Sequence, residues 1–138
     1  MDHDAYNHYH AVNLNAQTAN ASPVQLVLML LDGLQEELAR ARAHIEARRI
    51  EAKASSLDKC VDILNGLSSA LDLEHGGEVV ANLARLYEYC ALRLYRAGVD
   101  LDPTLVDEVT GLLHTLRSGW QGVQAQQVAA PAVGAAIA

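Results

Sequence analysis

Asp72-Leu73-Glu74-His75 is the nearest approach in this sequence to a metal-ligating motif. Di-metal carboxylate bundles take a Glu-x-x-His pair, spaced i and i+3, from each of two helices. No Glu-x-x-His occurs in the chain, and the Asp72 run ends against Gly76-Gly77. His8 and His10 stand two apart, too close to share one helical face, and read as solvated side chains. A free Met1-Asp2-His3 terminus chelates Cu(II) or Ni(II) in square-planar fashion, which is incidental. Cys60 and Cys90 fall on apolar stripes and read as inert buried thiols; Lys59 is adjacent to Cys60 but does not face it on a helix. No phosphate-cradling glycine loop, paired-cysteine metal site or serine nucleophile elbow is present. The expectation is no catalytic residue, no cofactor, no metal and no enzyme.

The composition says what must carry function instead. A chain of 138 residues with 51% hydrophobic and 20% charged residues is one domain with a sizeable core. Leu (21) and Ala (23) dominate and Phe is absent, so helix formers far outweigh aromatic strand formers. The net charge of −7 gives no cationic excess to neutralise phosphates, which argues against nucleic-acid binding. The longest apolar run, Leu26 to Leu31, falls far short of the roughly 20 residues that cross a bilayer, so no membrane insertion is expected. Asp2 and Asp4 stand where a secretory signal would be basic. A cytoplasmic protein with reduced thiols is the expectation.

The spacing predicts an all-α protein: an antiparallel four-helix bundle with a short N-terminal helical segment and a disordered C-terminal tail. Residues 1–20 are polar with few apolar anchors. Ser22, Pro23 and Gln25 form a capping box with proline at the first helical position. From there Leu26, Val27, Leu30, Leu34, Leu38, Ala41 and Ile45 recur at helical spacing. A turn falls near residues 47–50. The second helix carries Leu57, Cys60, Val61, Leu64, Leu67 and Leu71, and Gly76-Gly77 is expected to end it. The third presents Val79, Leu83, Leu86, Tyr87, Cys90, Leu94 and Ala97, with Gly98 and Asp102-Pro103 closing it and capping the fourth. Leu105, Val109, Leu112, Leu113, Leu116, Trp120 and Val123 complete the bundle domain, 21–124. Residues 125–138 are uncharged and Ala-rich, the expected tail.

Two helices carry more apolar side chains than one core stripe needs. Leu28 and Met29 lie off the first stripe. Leu92 points nearly opposite Leu83 and Leu94, with Tyr95 beside it, while Asn82, Tyr89 and Arg93 form a flanking row. Either a neighbouring element covers these residues or they meet a partner. Gly33 inside the first helix costs about 1 kcal/mol relative to Ala and is expected to permit close packing of another backbone. Arg40, Arg42, Arg48, Arg49 and Lys53 crowd one helix end, where they favour its dipole.

The motifs resemble one family. Ala21-Ser22-Pro23-x-Gln25-Leu26 followed by Met29-Leu30-Leu31-Asp32-Gly33 is similar to the first core helix of FliS, the flagellar secretion chaperone. The similarity continues through Leu71-Asp72-x-Glu74-x-Gly76-Gly77-Glu78 and Asn82-Leu83-x-x-Leu86-Tyr87-x-Tyr89, then Arg93-Leu94. It runs on through Glu108-Val109-x-x-Leu112-Leu113-x-x-Leu116-Arg117-x-x-Trp120, covering roughly residues 5 to 123. The family usually has Tyr or Phe where Leu31 stands, Asp at Glu88, Met at Cys90 and Asn at Gly98.

The resemblance implies a cytosolic export chaperone. It would hold the disordered C-terminal segment of flagellin, prevent premature filament assembly and deliver the subunit to the flagellar type III export apparatus. It also implies links to the export gate and to the flagellar anti-sigma factor. The family's N-terminal segment acts at the client groove, and its positions match Tyr6 and Tyr9. The partner-binding set expected here is therefore Tyr6, Tyr9, Val24, Leu28, Leu31, Asn82, Tyr89, Leu92, Arg93 and Tyr95. A helical client laid in a groove buries anchors at i, i+3/i+4 and i+7, which is what spare apolar residues would receive. With no nucleotide site in the sequence, release is expected without hydrolysis by this chain. The alternative is a generic homo-oligomeric helical interaction module, a homodimer using the same surface.

Overall fold

The structure, a computed structural model, describes residues 21–129. Four helices follow one another: α1 (Pro23–Glu46), α2 (Ile50–Ser69), α3 (Gly77–Asp100) and α4 (Pro103–Ala129). α1 packs on α2 and α4, and α3 closes the square against the same two. The fold is all-α, an antiparallel four-helix bundle. Tyr6, Tyr9 and the rest of the N-terminal segment lie outside the described residues, as do residues 130–138.

Local chemistry explains most of the boundaries. The Gln25 backbone N–H donates to Ser22 Oγ at 3.1 Å and the Ser22 N–H donates to Gln25 Oε1 at 2.8 Å, the full capping box. Asp102 caps α4, accepting the Thr104 N–H at 2.9 Å and its hydroxyl at 2.6 Å on Oδ1. These bonds favour the charged carboxylate and hold the Asp102 pKa below its usual range. α1 ends in a Schellman motif: the Arg49 N–H reaches the His44 carbonyl at 2.9 Å and the Arg48 N–H reaches that of Ile45 at 3.1 Å. Arg48 (φ 56°) occupies the left-handed position where glycine is usual.

Three glycine expectations need correction. α2 stops at Ser69, before Gly76-Gly77, and residues 70–76 form the link to α3. Gly76 is required there because a Cβ would overlap the Val80 side chain and stand 2.8 Å from the Asp72 carbonyl oxygen. Gly77 does take a positive φ (63°), but it opens α3. Gly98 does not end α3; the helix continues to Asp100, and Leu101 (φ 51°) takes the left-handed cap. Gly33 brings no backbone close, since a Cβ there would meet nothing within 4 Å. At the other end α4 extends five residues past Gln124, in keeping with the helix propensity of Ala and Gln.

The core sits on the bundle axis. Leu31, Leu34, Leu38, Leu64, Leu94 and Leu113 are buried in one cluster with Cys60, Cys90, Val106 and Val109. Each such Leu contributes roughly 1.5–3 kcal/mol of burial free energy. The α1 stripe is turned slightly from its expected register: Leu31 is on it at 0% exposure, while Leu26 is 37% exposed. Val79 also leaves its expected place, exposed near the start of α3. Burial pushes the Cys60 thiol up to about 12 and that of Cys90 to about 11.

α1 and α4 are tied by two antiparallel pairs. Arg42 donates to Asp107 at 2.6 and 3.2 Å, and Arg117 donates to Asp32 at 2.6 and 3.4 Å. The acceptor and donor swap helices between the pairs, and both members step ten residues, so one register satisfies both. Gln35 bonds the Thr110 carbonyl between them at 3.2 Å.

Candidate functional site

α3 carries the surface of interest because only half of its circumference is needed for the core. Tyr87, Cys90, Leu94 and Ala97 face inward. Leu92, Tyr95 and Val99, spaced three and four apart, face out on the same side. Their exposures are 63%, 73% and 61%. Three large apolar residues in a helical row, left open to water, are unusual for a bundle that has filled its core.

This row borders a groove of about 270 Å³ between α2 and α3. Ala54, Leu57 and Val61 line it from α2, and Leu94, Tyr95, Gly98 and Val99 from α3, with Lys53 and Asp58 adding polar groups. Lys53 Nζ donates to the Gly98 carbonyl at 2.8 Å, bridging the two helices. Apart from Lys53 and Asp58, the groove lining is apolar.

On the α4 side of α3 the geometry is polar. Glu108 of α4 accepts the Tyr89 hydroxyl at 2.7 Å and Arg93 Nε at 2.6 Å, one oxygen for each. The Arg93 guanidinium lies 5.8 Å from the Tyr89 ring centroid. These bonds hold the Glu108 carboxyl below its usual pKa and raise those of Tyr89 and Arg93. Asn82, exposed near the start of α3, accepts from Arg85.

The expected site residues thus fall into separate places. Leu92 and Tyr95 are open and adjacent. Tyr89 and Arg93 are joined through Glu108. Val24 and Leu28 are buried at 6% and 7% exposure, and Leu28 borders a second concavity of about 440 Å³ between α1 and α4 with Met29, Asp32 and Arg117. Leu31 requires correction: it is fully enclosed in the core cluster and offers no area to a partner. The expectation for Leu31 came with the family resemblance; α1 turns this residue onto its inner face.

Residues absent from the expected set include Val99, Gly98, the α2 lining residues and Glu108. Val99 was signalled by its spacing from Leu92 and Tyr95. The Glu108 contact had no local signal, since it depends on how α4 meets α3.

The Asp72 run forms a turn. Asp72 Oδ1 accepts the Glu74 and His75 backbone N–H groups, each at 3.2 Å, and its carboxylate lies 3.0 Å from His75 Nδ1. Among the described residues no three His, Cys, Asp or Glu side chains are grouped so that they could hold a metal ion. No described helix is long and apolar enough to cross a membrane.

A family model described as "Flagellar protein FliS" matches residues 5–127. The chain belongs to the FliS family. Among similar proteins is the flagellar secretion chaperone FliSB of Pseudomonas aeruginosa, 42% identical over 119 residues, which are 86% of this chain and 94% of that one. The flagellar secretion chaperone FliS of Salmonella typhimurium is 39% identical over 116 residues, 83% of this chain and 86% of its own length. That of Bacillus subtilis is 30% identical over 108 residues, 78% and 80% of the two chains. The FliS match runs through the four helices in order, ending two residues before the close of α4, so the family likeness and the bundle describe the same unit.

Proposed function

We propose that this FliS-family chain is a cytoplasmic export chaperone that holds the disordered C-terminal segment of flagellin, keeps it from assembling early, and delivers it to the flagellar type III export apparatus. The observation that carries the reading is the open row Leu92, Tyr95 and Val99 continuous with the α2/α3 groove. A client that forms a helix on this face places anchors at i, i+3/i+4 and i+7 against it. Ordering a disordered segment costs entropy, so the client must cover a large surface to bind well. Asn82, Tyr89 and Arg93 supply the polar side of that surface, and Leu28 is reached through the α1/α4 concavity. Tyr6 and Tyr9 belong to a segment that covers the groove or touches the client. The export gate and the anti-sigma factor are further partners of the same chaperone.

Seeded assembly of flagellin from the same organism, followed by light scattering, tests the reading. An equimolar amount of the chain suppresses elongation, and Leu92→Asp combined with Tyr95→Asp abolishes the suppression while the bundle stays folded. Elongation indifferent to the wild-type chain contradicts the proposal.

A further inference from the structure

We infer that Gly98 sets the depth of the α2/α3 groove and thereby selects a large aliphatic side chain, Leu, Ile or Met, on the client helix that binds there. This rests on the client-holding reading above and specifies what the groove accepts.

A glycine inside a helix costs about 1 kcal/mol relative to alanine, and here no backbone conformation demands it, because Gly98 has ordinary helical geometry. The reason is steric. A Cβ at position 98 would stand 2.8 Å from Leu57 Cδ1, well inside van der Waals contact. Leu57 is 8% exposed and packs on the core cluster with the rest of its side chain. Its tip therefore yields toward the groove, which both residues line. Any side chain at position 98 makes the groove shallower, and the bare α-carbon keeps it open. The Gly98 carbonyl accepts from Lys53 Nζ at 2.8 Å, which ties the Lys53 side chain across the two helices.

The rim adds a charge requirement. Asp58 lines the groove from α2 alongside Lys53, whose Nζ is taken up by the Gly98 carbonyl. Glu51 and Asp62, seven and four residues from Asp58, are exposed on the same stripe of α2, and none of the three acids has an ion pair among the described residues. A client helix whose apolar stripe is flanked by Lys or Arg on the α2 side complements this rim. A second copy of this chain, with a net charge of −7, fits it poorly.

The test is a calorimetric titration of the full chain with a peptide of ~40 residues from the C-terminus of flagellin of the same organism. Gly98→Ala is expected to weaken binding about tenfold or more, the scale of one misplaced methyl or methylene in an apolar pocket. Its melting temperature does not fall, because alanine restores helix propensity. Adding Leu57→Val removes the Cδ1 that the new Cβ displaces and returns the affinity toward wild type. Asp58→Asn with Asp62→Asn weakens binding several-fold and flattens its salt dependence. Wild-type affinity in Gly98→Ala, or no recovery in the double variant, overturns the depth assignment while leaving the client reading standing. An unchanged salt dependence in the Asp58/Asp62 variant overturns the basic flank. A wild-type chain that does not bind the peptide overturns the client reading and this inference with it.

Discussion

Arg93 of α3 donates from Nε to Oε1 of Glu108 on α4 at 2.6 Å, and the other oxygen of the same carboxylate takes the Tyr89 hydroxyl. One acidic residue on α4 thus fixes two side chains one turn apart on α3. Both bonds need the carboxylate, so protonation of Glu108 loosens the polar side of the candidate surface.

The sign of the pH dependence follows from that bonding. The folded-state pKa of Glu108 is held down, chiefly by Tyr89 and then by Arg93. Its stabilisation is fully present above the unfolded value, about 4.3, and is lost as pH falls through the lowered folded value. Thermal melts of wild type and Glu108→Gln should therefore differ near neutral pH and converge in acid below the ordinary glutamate range. A gap that stays constant across the titration contradicts the assignment.

Arg48 holds a left-handed conformation (φ 56°) with an exposed side chain at the end of α1. Left-handed backbone costs a non-glycine residue roughly 1–2 kcal/mol. Arg48→Gly should raise stability by about 1 kcal/mol in chemical denaturation, the gain being trimmed by the greater freedom of glycine in the unfolded chain. Leu101→Gly should gain less, because Leu101 also packs against the core. Equal gains at the two positions would show that the Leu101 side chain contributes nothing.

Cys60 and Cys90 are both free and buried, with thiols pushed up to about 12 and about 11 by desolvation. A thiol-reactive dye at mildly alkaline pH should label neither in the native chain and both after denaturation. Rapid native labelling of either would mean that the α2/α3 half of the core opens readily.

Much of this fold was legible in the sequence because helix signals are local. Ser22, Pro23 and Gln25 announce a start through bonds spanning three residues, and Asp102 does the same for α4. The outward direction of Leu92 and Tyr95 follows from the 3.6-residue period alone. Periodicity gives a direction but not a neighbour, and the misreadings follow from that limit. Leu31 is expected at the client surface through the family resemblance, and its burial depends on how α1 turns against the core. Gly98 reads as punctuation in one dimension; only Leu57, 41 positions earlier, reveals it as a space-maker. Glu108 and the Asp32–Arg117 pair depend on how helices far apart in the chain meet.

Tyr6 and Tyr9 stand outside the described residues and enter only through the family resemblance. Replacing both with Ala should weaken client binding far more than it lowers the melting temperature. Parallel losses in binding and melting would make the pair structural instead.

The central claim is that the open α3 row and its groove hold a client segment. Its most direct test is calorimetric titration of the wild-type chain with the flagellin C-terminal peptide of ~40 residues, repeated at several temperatures. One-to-one binding with a negative heat-capacity change is expected, both lost in Leu92→Asp/Tyr95→Asp. Absence of binding by a folded chain and a soluble peptide, or full binding by that double variant, would contradict it.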